Sequence, residues 1–201
     1  MRTGKMTVTG ESKTQRRPKK LPKALSKADI LTIINKAKRE RKRDYILLET
    51  LWRTGMRVAE LVNLKKCDVK DGYIIVREGK GKQDRTIPLD KTLDTILGLY
   101  IDGLKGGEQT KLFDMTTRNV QHICHKYSPY HFATQGDKTV RTYEAHPHTY
   151  RHSFAVNWIR EGGNIRALQK ILGHKHLDTT AIYLDLTAED LKAEMEKVSF
   201  E

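Results

Sequence analysis

Apolar residues recur at helical spacing along most of this chain. Only two short runs, Tyr73-Ile74-Ile75-Val76-Arg77 and Arg85-Thr86-Ile87-Pro88, read as strands. Between them lies Glu78-Gly79-Lys80-Gly81-Lys82-Gln83, a glycine-rich basic tip, so the pair reads as a β hairpin. This restricts the fold to a mainly α domain with a small antiparallel β insertion. Ser26-Lys27-Ala28-Asp29 is a capping pattern in front of Ile30, Ile33, Ile34 and Ala37. A second helix covers roughly residues 44–53 and stops before Gly55, and a short one follows over 58–64. Further helical patterns run over about 90–102, 116–127, 148–161, 164–172, 177–186 and 188–197. Residues 128–144 receive no element; Arg141 and Tyr143 within them are either substrate contacts or plain loop residues. Residues 1–24 lack apolar periodicity and read as a basic flexible arm or linker, leaving residues 25–201 as a single domain without internal repeats.

Charge separates these two parts. Residues 1–43 hold 15 Lys and Arg against 3 acids, whereas residues 44–201 hold 23 against 22, so nearly all of the net +13 belongs to the N-terminal part. Arg16, Arg17, Lys19 and Lys20 in the arm, and the run 38–43, suit a polyanion, because each neutralised phosphate releases condensed counterions. A solvated tail and a solubilising helix face are the plainer reading of the same residues. No stretch approaches the ~18 apolar residues of a membrane span, and the polar start lacks the apolar core of a secretory signal. A soluble, intracellular protein is therefore expected. Cys67 and Cys124 are read as free thiols.

Three separated motifs carry chemistry. In Thr54-Gly55-Met56-Arg57-Val58-Ala59-Glu60-Leu61, an arginine after a glycine turn can offer its planar fork to two phosphate oxygens. Glu60, one helical turn on, is placed to hold that guanidinium; alone, the pair is also an ordinary i,i+3 ion pair. In His146-Pro147-His148-Thr149-Tyr150-Arg151-His152, His148 and Arg151 fall at i,i+3 on a helix start, where one can move a proton and the other hold charge. The competing reading is a metal site built from His146, His148 and His152, with His122, Cys124 and His125 elsewhere. No spacing among them matches a four-ligand framework with thiolates, and an arginine inside the cluster repels a cation. In Leu172-Gly173-His174 through Thr179-Thr180-Ala181-Ile182-Tyr183, a glycine closes one helix, His174 follows in the turn, and Tyr183 lies on the next helix. A tyrosine is a covalent nucleophile when a cationic pocket favours its phenolate; in isolation it is a packing residue.

Taken in order, these motifs resemble the catalytic domain of the tyrosine recombinases, the phage integrase and Xer-like family, from about Leu25 to Tyr183. The resemblance implies the DNA breaking-rejoining fold of that domain. It implies Arg57, Lys80, His148, Arg151, His174 and Tyr183 as catalytic residues, with Glu60 in support of Arg57. Lys82 is the near alternative to Lys80, and Lys82 and Arg85 are further candidate DNA contacts. The implied reaction cleaves and rejoins DNA through a 3′-phosphotyrosyl ester, with neither metal nor cofactor. The implied partner is double-stranded DNA, with a homo-tetramer assembled on it and no membrane. A type IB topoisomerase-like nicking and closing enzyme and a catalytically silent DNA-binding protein are the alternatives. Family members carry a helical core-binding domain before the catalytic one; here about 25 residues stand in that place. Ala188, Leu191, Met195 and Val198 form a late apolar stripe, read either as packing onto the same domain or as docking into a neighbouring protomer.

Overall fold

The computed structural model describes residues 24–77, 84–135, 138–174 and Thr180. Helix α1 (Lys27–Glu40) begins where the Ser26 hydroxyl accepts the Asp29 amide at 3.1 Å, and it buries Ile30, Ile33, Ile34 and Ala37. Helix α2 (Lys42–Thr54) is buried nearly all round, through Ile46, Leu47, Leu48, Leu51 and Trp52 but also Asp44, Glu49 and Thr50. It is the central helix. A helix wrapped on every side needs its polar residues paired, and Asp44 accepts hydrogen bonds from Tyr127 at 3.1 Å and Arg43 at 3.0 Å.

Gly55 ends α2 in the left-handed region, at φ 59°, and the chain turns directly into α3 (Val58–Leu61). The sequence pattern extends this helix to residue 64. It stops earlier because the next amides shift to tighter i→i−3 bonds, Asn63 to Glu60 O at 3.1 Å and Leu64 to Leu61 O at 3.2 Å, ahead of an isolated bridge between Lys65 and Lys111. After a 3-10 turn (Lys66–Asp68), strands β1 (Val69–Lys70), β2 (Tyr73–Val76) and β3 (Arg85–Pro88) form an antiparallel sheet in that order, with Val76 opposite Arg85. The expected hairpin is therefore present, with the two-residue β1 added at its edge; the tip that carries Lys80 and Lys82 lies outside the described residues. Helix α4 (Lys91–Asp102) is capped by the Asp90 carboxylate on the Thr92 and Leu93 amides, and α5 (Thr117–Tyr127) by Thr116 on Asn119.

Residues 128–144 are where the sequence reading is corrected. They form a two-stranded ribbon, β4 (Tyr130–Gln135) against β5 (Lys138–Tyr143), in which Tyr130 faces Tyr143 and Phe132 faces Arg141. The strands were hidden because neither face is buried in the core, so the apolar-polar alternation that marks a strand is missing. Cross-strand pairs hold the ribbon instead: the Arg141 guanidinium lies 4.4 Å from the centre of the Tyr130 ring. Its base is fastened by the Ser128 hydroxyl, which accepts the amides of Glu144 at 3.1 Å and Ala145 at 2.8 Å.

Helix α6 (Pro147–Arg160) starts with proline at its first position and packs on α2. Helix α7 (Ile165–Leu172) is capped by Asn164 and ends at Gly173, again left-handed at φ 66°. Both cysteines of the chain are free. None of the described helices is long and apolar enough to cross a membrane. Apart from Ala24 and Thr180, the basic arm, the helices expected over 177–186 and 188–197, and the late apolar stripe lie outside the described residues.

Gly55 is a point where backbone and packing constraints coincide. A Cβ built there would lie 2.5 Å from Cδ1 of Phe154, in a conformation that side chains disfavour. Gly55→Ala is expected to lower stability by about 1–3 kcal/mol, read as a fall in the denaturant midpoint; an unchanged midpoint would show that α6 yields easily.

Candidate active site

The end of α7 supplies the frame. The Gly173 amide donates to Lys170 O at 3.1 Å and the His174 amide to Gln169 O at 3.1 Å, the bond pair of a Schellman cap. These bonds leave the carbonyls of residues 171, 172 and 173 for other donors, and a different arginine takes each one. Arg85 Nε donates to Ile171 O at 2.8 Å, Arg151 to Leu172 O at 2.8 Å, and Arg57 to Gly173 O at 3.4 Å. Helix carbonyl ends carry partial negative charge, which offsets the cost of crowding guanidinium groups together.

The three arginines are not equivalent. Arg151, only 5% exposed, also donates to Gly55 O at 2.7 Å, so it ties the end of α2 to the end of α7. The Arg85 side chain is 9% exposed and grips Glu60 with both terminal nitrogens, at 3.0 and 2.7 Å. The Arg57 side chain is 38% exposed and holds its carbonyl by the longest of the three bonds.

Glu60 joins two of them. Its Oε1 accepts from Arg57 NH1 at 2.8 Å and from Arg85 NH1 at 3.0 Å; its Oε2 accepts the Arg57 backbone amide at 2.7 Å and Arg85 NH2 at 2.7 Å. Burial works against its charge, but the hydrogen bonds and charge of Arg85, followed by those of Arg57, more than compensate and hold the carboxyl below its usual range. Glu60 thus contacts Arg57 at both its guanidinium and its backbone amide. Arg85, which the sequence reading places among candidate DNA contacts, directs its guanidinium onto Glu60 and the end of α7.

His174 completes the cluster. Arg151 donates to its Nε2 at 2.9 Å, and because a guanidinium has no lone pair to accept with, Nε2 is unprotonated. The ring proton is on Nδ1, donated to the hydroxyl of the buried Thr180 at 2.8 Å. Burial first, then the charges of Arg151, Arg57 and Arg85, pull its pKa down to about 4. His148 stands apart from this hydrogen-bonded group. It is exposed on the first turn of α6 and lines a cleft of about 870 Å³ with Val58, Arg118, Gln121, His146 and His152. His152 is kept below the usual histidine range by burial, then by His148 and Arg151.

The pairing of His125 with His146 is not apparent from the sequence. His146 Nε2 donates to the Tyr143 carbonyl at 3.0 Å, so its Nδ1 is free to accept from His125 Nε2 at 2.7 Å. The His125 ring also stacks on Tyr143, 4.3 Å between centres. These contacts fix the start of α6, and their signal was present in the histidines, but only the unassigned ribbon brings the partners together. Among the described residues, no three His, Cys, Asp or Glu side chains are grouped to hold a metal ion. Lys80, Lys82, Tyr183 and the arm residues Arg16, Arg17, Lys19 and Lys20 lie outside the described residues.

A glutamate-held arginine, a second arginine at i,i+3 from a histidine, and a histidine after a Leu-Gly helix end therefore sit on one frame. The family model described as the phage integrase family matches residues 23–190. The chain belongs to the phage integrase family. This integrase-family chain is 37% identical over 190 residues to the tyrosine recombinase XerA of Thermococcus kodakarensis, and 31% identical over 196 residues to XerD of Staphylococcus haemolyticus. It covers 64% of the XerA relative's length, with 90% of its own residues in the match. A crystal structure of XerA recombinase superposes with a TM-score of 0.70 over 92% of this chain and 67% of the other, at 29% identity. The catalytic domain of bacteriophage HP1 integrase shares the fold, with a TM-score of 0.60 and 22% identity over 87% of this chain. The mainly α domain with small antiparallel sheets is thus the tyrosine recombinase catalytic-domain fold.

The lowered His174 pKa gives a signed test. The unfolded chain takes up this proton as pH falls through 6.5, while the folded chain resists until about 4, so the folded state loses stability across that window. Unfolding measured at pH 7, 5.5 and 4.5 is expected to show the wild type losing more stability than His174→Gln; parallel losses would mean that the imidazole is not held neutral.

Proposed function

We propose that this chain is the catalytic part of a site-specific DNA recombinase, which cuts and rejoins strands through a 3′-phosphotyrosyl intermediate. The observation that carries this reading is the meeting of Arg57, Arg151 and His174 at the end of α7, because a phosphodiester under attack needs cationic donors already in place. Membership of the phage integrase family and the identity to XerA support it. Arg57 and Arg151 take the non-bridging oxygens of the scissile phosphate and stabilise its pentavalent transition state. The Tyr183 phenolic oxygen attacks phosphorus in line, and the bond from phosphorus to the 5′-oxygen breaks. Lys80 gives the leaving oxygen its proton, while His148 assists in taking the tyrosine proton. Arriving phosphate charge opposes the effect of the arginines on His174, favouring a protonated ring that donates to a phosphate oxygen. The ester conserves the bond energy, so a 5′-hydroxyl from another strand reverses the step and completes exchange.

The finer assignments belong to the same reading. Duplex DNA is the substrate, a homo-tetramer on DNA is the working assembly, and the protein acts in the cytoplasm at the nucleoid. Lys82 and the arm residues Arg16, Arg17, Lys19 and Lys20 add contacts to the phosphate backbone. Residues 1–24 form the arm and 25–201 the catalytic domain.

The test is a pool of nicked duplexes of randomised sequence, incubated with the protein in EDTA and scored for covalent protein-DNA adducts. The wild type is expected to form an adduct in chelator, and Tyr183→Phe to form none. An adduct with Tyr183→Phe would move the nucleophile elsewhere; loss of the wild-type adduct in chelator would overturn the metal-free chemistry.

A further inference from the structure

Arg85 has no part in the chemistry described above, yet it is the most tightly held of the cations around Glu60. An ionised carboxylate offers about four lone-pair positions, and here all are occupied: two by Arg57, through its backbone amide and NH1, and two by Arg85, through NH1 and NH2. Arg85 Nε is spent on Ile171 O, and Gly173 leans on the same side chain, since a Cβ built there would lie 3.0 Å from Arg85 Cδ. The residue therefore clamps three elements together: the start of β3, the short helix α3 and the end of α7.

This arrangement has a consequence for Arg57. Without Arg85, the Glu60 side chain, 13% exposed, would face Arg57 as its one strong partner. A buried carboxylate in that position draws a guanidinium into a bidentate pair, and an arginine closed on Glu60 is withdrawn from a phosphate.

Building on the recombinase reading, we propose that Arg85 is a positioning residue: by occupying one side of Glu60, it limits that carboxylate to a single side-chain bond with Arg57, so that Glu60 does not compete with the scissile phosphate for the other Arg57 nitrogens. Glu60 thus orients Arg57 without capturing it. Arg85 also lies two residues beyond the tip that carries Lys80 and Lys82, so the same clamp fixes one foot of the hairpin bearing the proposed leaving-group acid.

The test compares wild type, Arg85→Gln, Arg85→Lys, Glu60→Gln and the double variant Glu60→Gln with Arg85→Gln, on the same nicked duplex pool under single-turnover conditions. Arg85→Gln is expected to slow adduct formation at least tenfold, and Arg85→Lys, which can bridge Glu60 at one point only, about five- to tenfold. Neutralising Glu60 in the Arg85→Gln background removes the captor, so the double variant is expected to be several-fold faster than Arg85→Gln alone. A merely structural role gives the opposite order, with the double variant as slow or slower. Should Arg85→Gln fail to fold, Arg85→Lys decides: a wild-type rate with a wild-type melting temperature overturns the proposal. The salt dependence of duplex binding separates this role from a direct phosphate contact. Positioning leaves the slope of log K against log salt unchanged, and a slope reduced by about one makes Arg85 a DNA contact instead. Nitrogen-15 NMR of the Arg57 guanidinium in the free protein reads the effect without any reaction: slower N–H exchange is expected in Arg85→Gln or Arg85→Lys, and unchanged exchange overturns the proposal. If the wild type forms no adduct, the recombinase reading fails while this NMR comparison still judges the clamp.

Discussion

The carbonyl end of α7 is the interaction on which the rest of the site depends. Three consecutive carbonyls, of Ile171, Leu172 and Gly173, hold Arg85, Arg151 and Arg57 in turn. Three guanidinium groups repel one another, and a folded chain keeps them together only where oriented negative charge is already in place. Here it comes from a helix terminus and the Glu60 carboxylate. The Schellman cap matters for the same reason: by turning the chain at Gly173, it leaves those carbonyls unpaired within the helix and aimed sideways at donors from three other elements.

One consequence is a division of labour among like residues. Arg151 is buried and tied to two helix ends, which makes it a fixed part of the floor. Arg85 is buried against Glu60 and serves as a brace. Arg57 is the most exposed of the three, with the longest carbonyl bond, and is the proposed first contact for a phosphate. The same field explains the state of His174. Surrounded by these charges, its ring stays neutral and accepts from Arg151, and the proposed arrival of a phosphate supplies the opposing charge that changes its role.

Much of this was legible in the sequence because its signals are local. Ser26, Gly55 and Gly173 mark helix ends by chemistry that depends on one or two neighbours, and the Arg57–Glu60 pair is one helical turn long. The order of Arg57, His148, Arg151, His174 and Tyr183 carries the resemblance to the family. What remained hidden depends on contacts distant in sequence. Arg85 looked like one more cation beside a basic hairpin, and nothing within the strand tells that its partner is Glu60, 25 residues earlier. The β4–β5 ribbon was missed because a strand exposed on both faces loses the alternation by which strands are recognised, and with it went the His125–His146 contact that depends on the ribbon's placement of Tyr143.

Under the proposed function, the end of α7 presents arginines to a single phosphate. The most direct measurement is a crystal structure of Tyr183→Phe bound to a duplex recovered from the nicked pool. Expected is one phosphate within hydrogen-bond distance of both Arg57 and Arg151, with His174 beside it and the bond between Arg85 and Glu60 intact. DNA bound across another face, or a phosphate reached by Arg85 with Arg57 closed on Glu60 as a bidentate pair, would contradict it.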